Sequence, residues 1–301
     1  MVDSVSLNQG AAGIGRGRRK FLGGAGAATL AAMTGIGSIP LMASSADAQA
    51  VSLLTDVNIL NFALNLEYLE AEFYLRAAFG RGLGQADVTG TGFLGAVSGG
   101  ARVPFQSVAI RQYAEEIAND EEHHVKFLRS ALGSARVART NINLNTAFTY
   151  AARAAGVVPP TGTFNPFQDE ASFLLGAFIF EDVGVTAYKG AARFLENKDF
   201  LEAAAGLLAV EAYHAGEIRT LLISRGQSDA ANKISNLRDA VDGLDDIDQG
   251  VTVNGVINVV PTDANGLAFS RNPARVANIV YLGGTSGNFG FFPNRLNGAI
   301  R

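Results

Sequence analysis

The chain has no cysteine among its 301 residues. That excludes disulfides, thiolate zinc sites, iron–sulfur centres and a lipoprotein anchor, and it leaves only oxygen and nitrogen donors for any metal. A basic excess is missing as well: the formal charge is −4, so nothing points to nucleic acid as a partner. Beyond residue 50 no stretch is expected to be long and apolar enough to span a bilayer. Charged residues make up 17% against 48% hydrophobic, the balance of a chain that folds. Histidine is scarce too. Only three occur, and all of them (His123, His124 and His214) fall in two short segments.

The first fifty residues have the order of a targeting segment. Gly15-Arg16-Gly17-Arg18-Arg19-Lys20-Phe21-Leu22 is basic, and a Gly/Ala-rich apolar run follows to about Met42. Ala46-Asp47-Ala48-Gln49-Ala50 then supplies an Ala-x-Ala cleavage pattern. The Arg18-Arg19 pair before Phe21-Leu22 resembles a twin-arginine export signal, although Gly17 and Gly23 replace the usual Ser or Thr and Lys. Cleavage after Ala50 predicts an exported product, periplasmic or extracellular, with no stable membrane insertion; the alternative reading of the segment is an uncleaved membrane anchor, disfavoured by its glycines, Pro40 and the Ala-x-Ala ending.

Periodic apolar stripes predict long helices over most of the remainder. The first runs from a cap at Thr55 or Asp56 to about residue 79, with Leu60, Ala63, Leu64, Glu67, Glu70, Ala71 and Tyr74 on its inner face. A Gly/Thr-rich loop leads to the second, from about Pro104 to 133, with Ile117, Glu121, His124 and Leu128 inward. A long connection over 134–168, with a short helix near 146–155, precedes the third, at about 169–195. Its face reads Leu174, Ala177, Phe178, Glu181, Val185 and Tyr188. The fourth, at about 199–225, presents Ala204, Leu207, Leu208, Glu211, His214, Ile218 and Leu221 before the stop at Gly226.

A shorter amphipathic helix is predicted over 229–241 and another over 272–282. Between them, alternating β-branched residues around Asn254-Gly255 signal a β-hairpin. The end from Gly283, with Phe289, Phe291 and Phe292, either packs on the helices or mediates assembly of a homo-oligomer. Three segments result: the signal over 1–50, a helical bundle over 51–228, and a C-terminal helix with an irregular tail over 229–301.

The halves of the bundle repeat. The first and third helices each carry an acid followed seven residues later by tyrosine, Glu67 with Tyr74 and Glu181 with Tyr188. The second and fourth each carry Glu-x-x-His, at Glu121/His124 and Glu211/His214. Residues three apart on a helix share a face, so each pair can present a carboxylate and an imidazole to one metal ion. A short loop in the second half and a long crossover between helices two and three fit a mainly α, antiparallel four-helix bundle. Its interior would hold four carboxylates and two imidazoles, donors for two divalent ions.

One core-facing acid reads as readily as an interhelical ion-pair partner. Four buried together without cations would be strongly unfavourable, which favours metal. Tyr74 and Tyr188 are placed to hydrogen-bond the carboxylates. Glu70 shares a face with Glu67; the repeat favours Glu67 as ligand and leaves Glu70 as an alternative or accessory acid. His123 and the Asp120-x-x-His123 spacing fall out of phase with Ile117 and Leu128. Glu217 lies one turn beyond His214 and reads equally as a surface residue.

Leu66-Glu67-Tyr68-Leu69-Glu70-Ala71-Glu72-Phe73-Tyr74, Asp120-Glu121-Glu122-His123-His124-Val125, Phe180-Glu181-Asp182 and Glu211-Ala212-Tyr213-His214 resemble the ferritin-like superfamily. The nearest likeness is to its exported branch, akin to plant desiccation-related and fungal stress proteins. The resemblance covers about residues 54–225 and extends into the tail around 261–271. It implies a ferritin-like bundle with a dimetal site of Glu67, Glu121, His124, Glu181, Glu211 and His214, orientated by Tyr74 and Tyr188. The superfamily spans ferroxidases, peroxidases, oxygenases and catalases, so the reaction stays open.

A di-iron or mixed iron–manganese oxidoreductase acting on Fe²⁺, O₂ or peroxide in stress protection is the leading expectation. A di-manganese catalase is the second, although that family's usual ligand set is one residue shorter. A non-enzymatic protective protein with a structural metal site is the third. Without cysteine, a self-contained peroxidase of the rubrerythrin kind is disfavoured.

Overall fold

The computed structural model describes residues 53–284 and 290–301. The targeting segment and Phe289 lie outside them. Eight α-helices occur among the described residues: α1 (Asp56–Phe79), α2 (Val108–Leu132), α3 (Thr146–Ala154), α4 (Glu170–Phe178), α5 (Glu181–Ala192), α6 (Lys198–Ser224), α7 (Ser228–Asp242) and α8 (Pro273–Val280). Helix α1 packs along α2, and α5 along α6. Helix α4 continues the line of α5 towards the other end of α6, so α1, α2, α4–α5 and α6 form the antiparallel four-helix bundle that the periodicity predicts.

Capping fixes where these helices begin. Thr55, Ser107, Asp169 and Asn197 each turn a side-chain oxygen back onto amides of the first turn of α1, α2, α4 and α6. Helix α2 starts at Val108 and not at Pro104. The preceding stretch is extended against α1, where the Val103 amide donates to the Ala77 carbonyl at 2.9 Å. The Glu170 carboxylate then accepts from the amides of Gln106 and Ser107, binding this approach to the start of α4.

Helix α1 is the central element. The periodicity predicts a single inward face, interrupted by Glu67 and Glu70, but nearly every side is buried, including Asn61, Asn65, Tyr68 and Glu72 on the face away from the bundle. Two loops cover that face. The loop after α1 forms β1 (Val97–Gly99), paired in parallel with β2 (Ile142–Leu144) from the crossover. Arg129 and Arg139, which belong to α2 and the crossover, hold Tyr68 and Glu72 respectively. The C-terminal tail completes the cover: Asn65 donates to the Asn297 carbonyl at 2.9 Å and accepts from its amide at 3.1 Å.

The third predicted helix is interrupted. Ile179 and Phe180 separate α4 from α5, immediately before Glu181. By length and composition, 170–192 is apolar enough to cross a membrane, contrary to the expectation from the sequence. It is instead a core segment, 89% buried in its most apolar window. Phe73 of α1 anchors the packing here, with ring centroids 5.0–5.7 Å from Tyr74, Phe148, Phe167, Phe173 and Phe180.

Phe291, fully buried, lies 5.0 Å from both Phe148 and Phe180, so the tail packs on the helices. The hairpin forms as predicted from β3 (Thr252–Val253) and β4 (Val256–Ile257). Asn254 and Gly255 both take positive φ in its turn.

Replacing Asn65 by Leu leaves the amide and carbonyl of Asn297 without their partner. Unpaired groups of this kind cost about 1–3 kcal/mol each. The urea midpoint of the full protein is expected to fall accordingly; an unchanged midpoint would mean that the tail is not fastened at this point.

Candidate metal centre

The bundle brings all six predicted donors together. Glu67 comes from α1, Glu121 and His124 from α2, Glu181 from the first turn of α5, and Glu211 and His214 from α6. All are buried, Glu121 and Glu211 completely. Two clusters form, each with donor atoms within 4.8 Å of one another: Glu67, Glu121, His124 and Glu211 in one, Glu121, Glu181 and His214 in the other. Only Glu121 belongs to both.

His124 Nδ1 stands 3.2 Å from Glu67 Oε2 and 3.6 Å from Glu121 Oε2. His214 Nδ1 stands 3.4 Å from both Glu121 Oε1 and Glu181 Oε2. The imidazoles face one another across the centre at 6.4 Å between centroids.

Eight inward atoms have no hydrogen-bond partner: one oxygen each of Glu67 and Glu181, both oxygens of Glu121 and Glu211, and Nδ1 of each histidine. Buried polar atoms in folded proteins are ordinarily satisfied, so eight of them converging from four helices fit a site for cations. The charge balances as well. Four carboxylates neutralise two divalent ions and leave the imidazoles neutral. The residues fit a dimetal site.

The tyrosines act crosswise. Tyr188 donates to Glu67 Oε1, and Tyr74 to Glu181 Oε1, so each grips the acid of the other half by its outer oxygen and leaves the inner one free. Glu70 is buried close by, but no atom of it joins either cluster. His123 is exposed, and Glu217 is half-buried on a groove wall.

Two contributors were missed from the sequence. Asp120 Oδ2 sits 3.2 Å from His214 Nε2, where it fixes the tautomer that turns Nδ1 towards the centre. Gly184 is the other. A Cβ there would lie 2.0 Å from Glu211 Oε2, so no larger residue leaves that carboxylate in place. A groove of about 1030 Å³ reaches His214 from the surface, with Glu116, Asp120, Glu217, Tyr113 and Tyr213 on its walls.

Electrostatics of the protein alone show how strongly it needs positive charge. Burial pushes Glu67 up to about 7, reinforced by Glu121 and opposed by His124. Burial lifts Glu211 and Glu70 well above the usual carboxylate range, helped by the acids around them. Burial opposes ionisation of Glu121 too, but the imidazoles of His124 and His214 outweigh it and hold that carboxyl below its usual range. Burial also works against a charged His124, yet Glu67 and Glu121 raise it to about 11. His214 is raised against the same opposition, by Glu181 and Asp120. Protons stand where cations belong.

Comparison with known proteins bears on the fold. The family described as ferritin-like domain matches residues 55–224. The chain is 32% identical over 241 residues to the desiccation-related protein PCC13-62 of Craterostigma plantagineum, covering 73% of this chain and 76% of that protein. It is 28% identical over 268 residues to the ferritin-like catalase Nec2 of Nesocodon mauritianus, covering 81% of this chain and 84% of that one. No solved structure is a significant match.

Two predictions follow from the donor arrangement. Because Glu121 alone joins both clusters, Glu121→Gln should weaken both bound ions, whereas His124→Ala and His214→Ala should each lose one; metal content per chain measures this. The second concerns pH. Glu67 has a folded value of about 7 against an ordinary 4.5, so its contribution to metal-free stability is complete below 4.5 and is lost as pH rises through 7. Metal binding must displace that proton and those on the histidines. The gain in melting temperature on adding metal should therefore widen between pH 5 and pH 8, with proton release visible as a buffer-dependent binding enthalpy.

Proposed function

The chain belongs to the ferritin-like family, in its desiccation-related branch, and on that premise we propose that it is an exported dimetal redox protein that removes hydrogen peroxide by dismutation. The observation that carries this reading is the convergence of eight unpartnered donor atoms in the buried core of the bundle. The similar protein named a ferritin-like catalase supports peroxide as substrate. Dismutation also needs no second substrate: of two H₂O₂, one is oxidised to O₂ and the other reduced to water, giving two H₂O. A chain with no cysteine carries no thiol that could serve as internal reductant.

The all-oxygen and nitrogen donor set suits manganese or iron, and either pair supplies two coupled one-electron changes when bound. Glu67, Glu121, His124, Glu181, Glu211 and His214 would hold the ions. Tyr74 and Tyr188 restrain the outer oxygens of Glu181 and Glu67, and Asp120 keeps the His214 lone pair turned inward. Burial of the whole set strengthens each of these contacts.

The acidic groove at His214 favours a second reading, oxidation of Fe²⁺ by O₂, because Glu116, Asp120 and Glu217 would concentrate cations at its mouth.

Metal analysis followed by electrode assays separates the two. Two equivalents of manganese or iron with O₂ release from peroxide are expected. Fe²⁺-dependent O₂ uptake without release from peroxide would favour the second reading. Tightly bound metal with neither activity would leave a structural metal in a protective protein.

A further inference from the structure

We propose that Arg238, on helix α7 beyond the matched domain, is a positioning residue for Glu181 and thereby for one of the two metal positions. The inference rests on the dimetal reading above. Glu181 is the first residue after the break in the third bundle helix. In that break the amides of Ile179 and Phe180 donate three residues back, to Gly176 at 3.2 Å and Ala177 at 2.9 Å, and Val183 donates to Phe180 at 2.8 Å. Such a turn advances about 120° per residue against about 100° in an α-helix. Each tightened residue therefore rotates Glu181 by roughly 20° relative to an unbroken helix. Nothing in the local sequence demands this. The run from Phe173 to Asp182 has no proline, and its one glycine, Gly176, precedes the break.

The cause lies about sixty residues on. The Arg238 guanidinium lies over the Phe178 ring, 4.4 Å from its centroid. It donates through Nη1 to the Phe178 carbonyl and through Nη2 to Asp182 Oδ2, at 2.8 Å. It thus joins the last residue of α4 to the second of α5 and bridges the break. Arg219 holds the same Asp182 oxygen at 2.7 Å. Asp248 holds Arg238 at 2.8 Å and Arg271 at 2.6 Å, and Arg271 in turn holds Asp242. Three arginines and three aspartates form one buried, charge-neutral network. Lysine cannot replace Arg238 here, because one ammonium cannot serve a carbonyl and two carboxylates in the plane of a guanidinium.

Among the described residues no such device serves the other half. Glu67 lies inside an unbroken α1, so the clamp acts on the position shared by Glu181 and His214 and not on that of Glu67 and His124. That asymmetry gives the test. Cobalt(II) titration of the purified protein, followed by visible absorption, would be compared with reference spectra from His124→Ala and His214→Ala, each of which retains one position.

Arg238→Lys should bind one Co²⁺ as the wild type does, with the spectrum of the His214→Ala protein, and the second at least about tenfold more weakly. Ile234→Ala, a buried truncation on the same helix, should lower stability yet keep both ions. Wild-type binding at both positions in Arg238→Lys, or equal weakening of both, overturns the clamp. Should Arg238→Lys fail to fold, Asp182→Asn must show the same selective loss, and unaltered binding there overturns it equally. A wild-type protein that binds no Co²⁺ would instead overturn the dimetal reading itself.

Discussion

Mutual repulsion of carboxylates in a dry interior is the constraint on which the molecule turns. Glu67, Glu121, Glu181 and Glu211 all lie within the bundle, and moving even one unpaired charge out of water costs several kcal/mol. The surrounding structure answers that difficulty in two ways. Two imidazoles offer further donors on the same side as the acids, so that cations rather than protons are the natural counter-charge. Two tyrosine hydroxyls bind the outer oxygens, which limits the number of lone pairs left to satisfy. The rest of the protein then has to keep six side chains from four helical segments in register.

That requirement explains the weight of structure outside the bundle. Loops after α1 and α2, together with the C-terminal tail, wrap the far side of α1, so this helix is held from every direction. Helix α7 and the segment after it also supply Phe291 to the aromatic core and Arg238, Asp248 and Arg271 to the buried ionic network beside Glu181. Buried ion pairs add little net stability once desolvation is counted, but they fix geometry strongly because each member is costly to leave unpaired. A centre that tolerates little displacement is well served by such a network.

The bundle and its six donors were legible in the sequence because helical periodicity is a local signal. Glu121 and His124, or Glu211 and His214, need only three residues of spacing to declare a shared face. What stayed hidden depends on distant partners. Asp120 falls out of phase with the apolar stripe of its own helix, and its role appears only when α6 brings His214 beside it. The break at Ile179–Phe180 lies in an apolar run that reads as continuous helix, since the group that interrupts it belongs to residue 238. Gly184 looked like one more small residue on a helix, with nothing to show that Glu211 would occupy the space of its side chain. The burial of α1 on nearly every side was likewise invisible, because its cover comes from three separate parts of the chain.

The crossed tyrosines have a consequence for how the centre can be assembled. Tyr74 reaches the acid of the second half and Tyr188 that of the first, the exchange expected of a two-fold dimer of helical hairpins. Neither hairpin could complete its own coordination shell in isolation. In separate chains, the site would dissolve on dilution. The crossover between α2 and α4 turns that encounter into an intramolecular one, with an effective concentration set by the tether and not by the amount of protein present. The centre can thus stay intact at any dilution without needing a second copy of the chain.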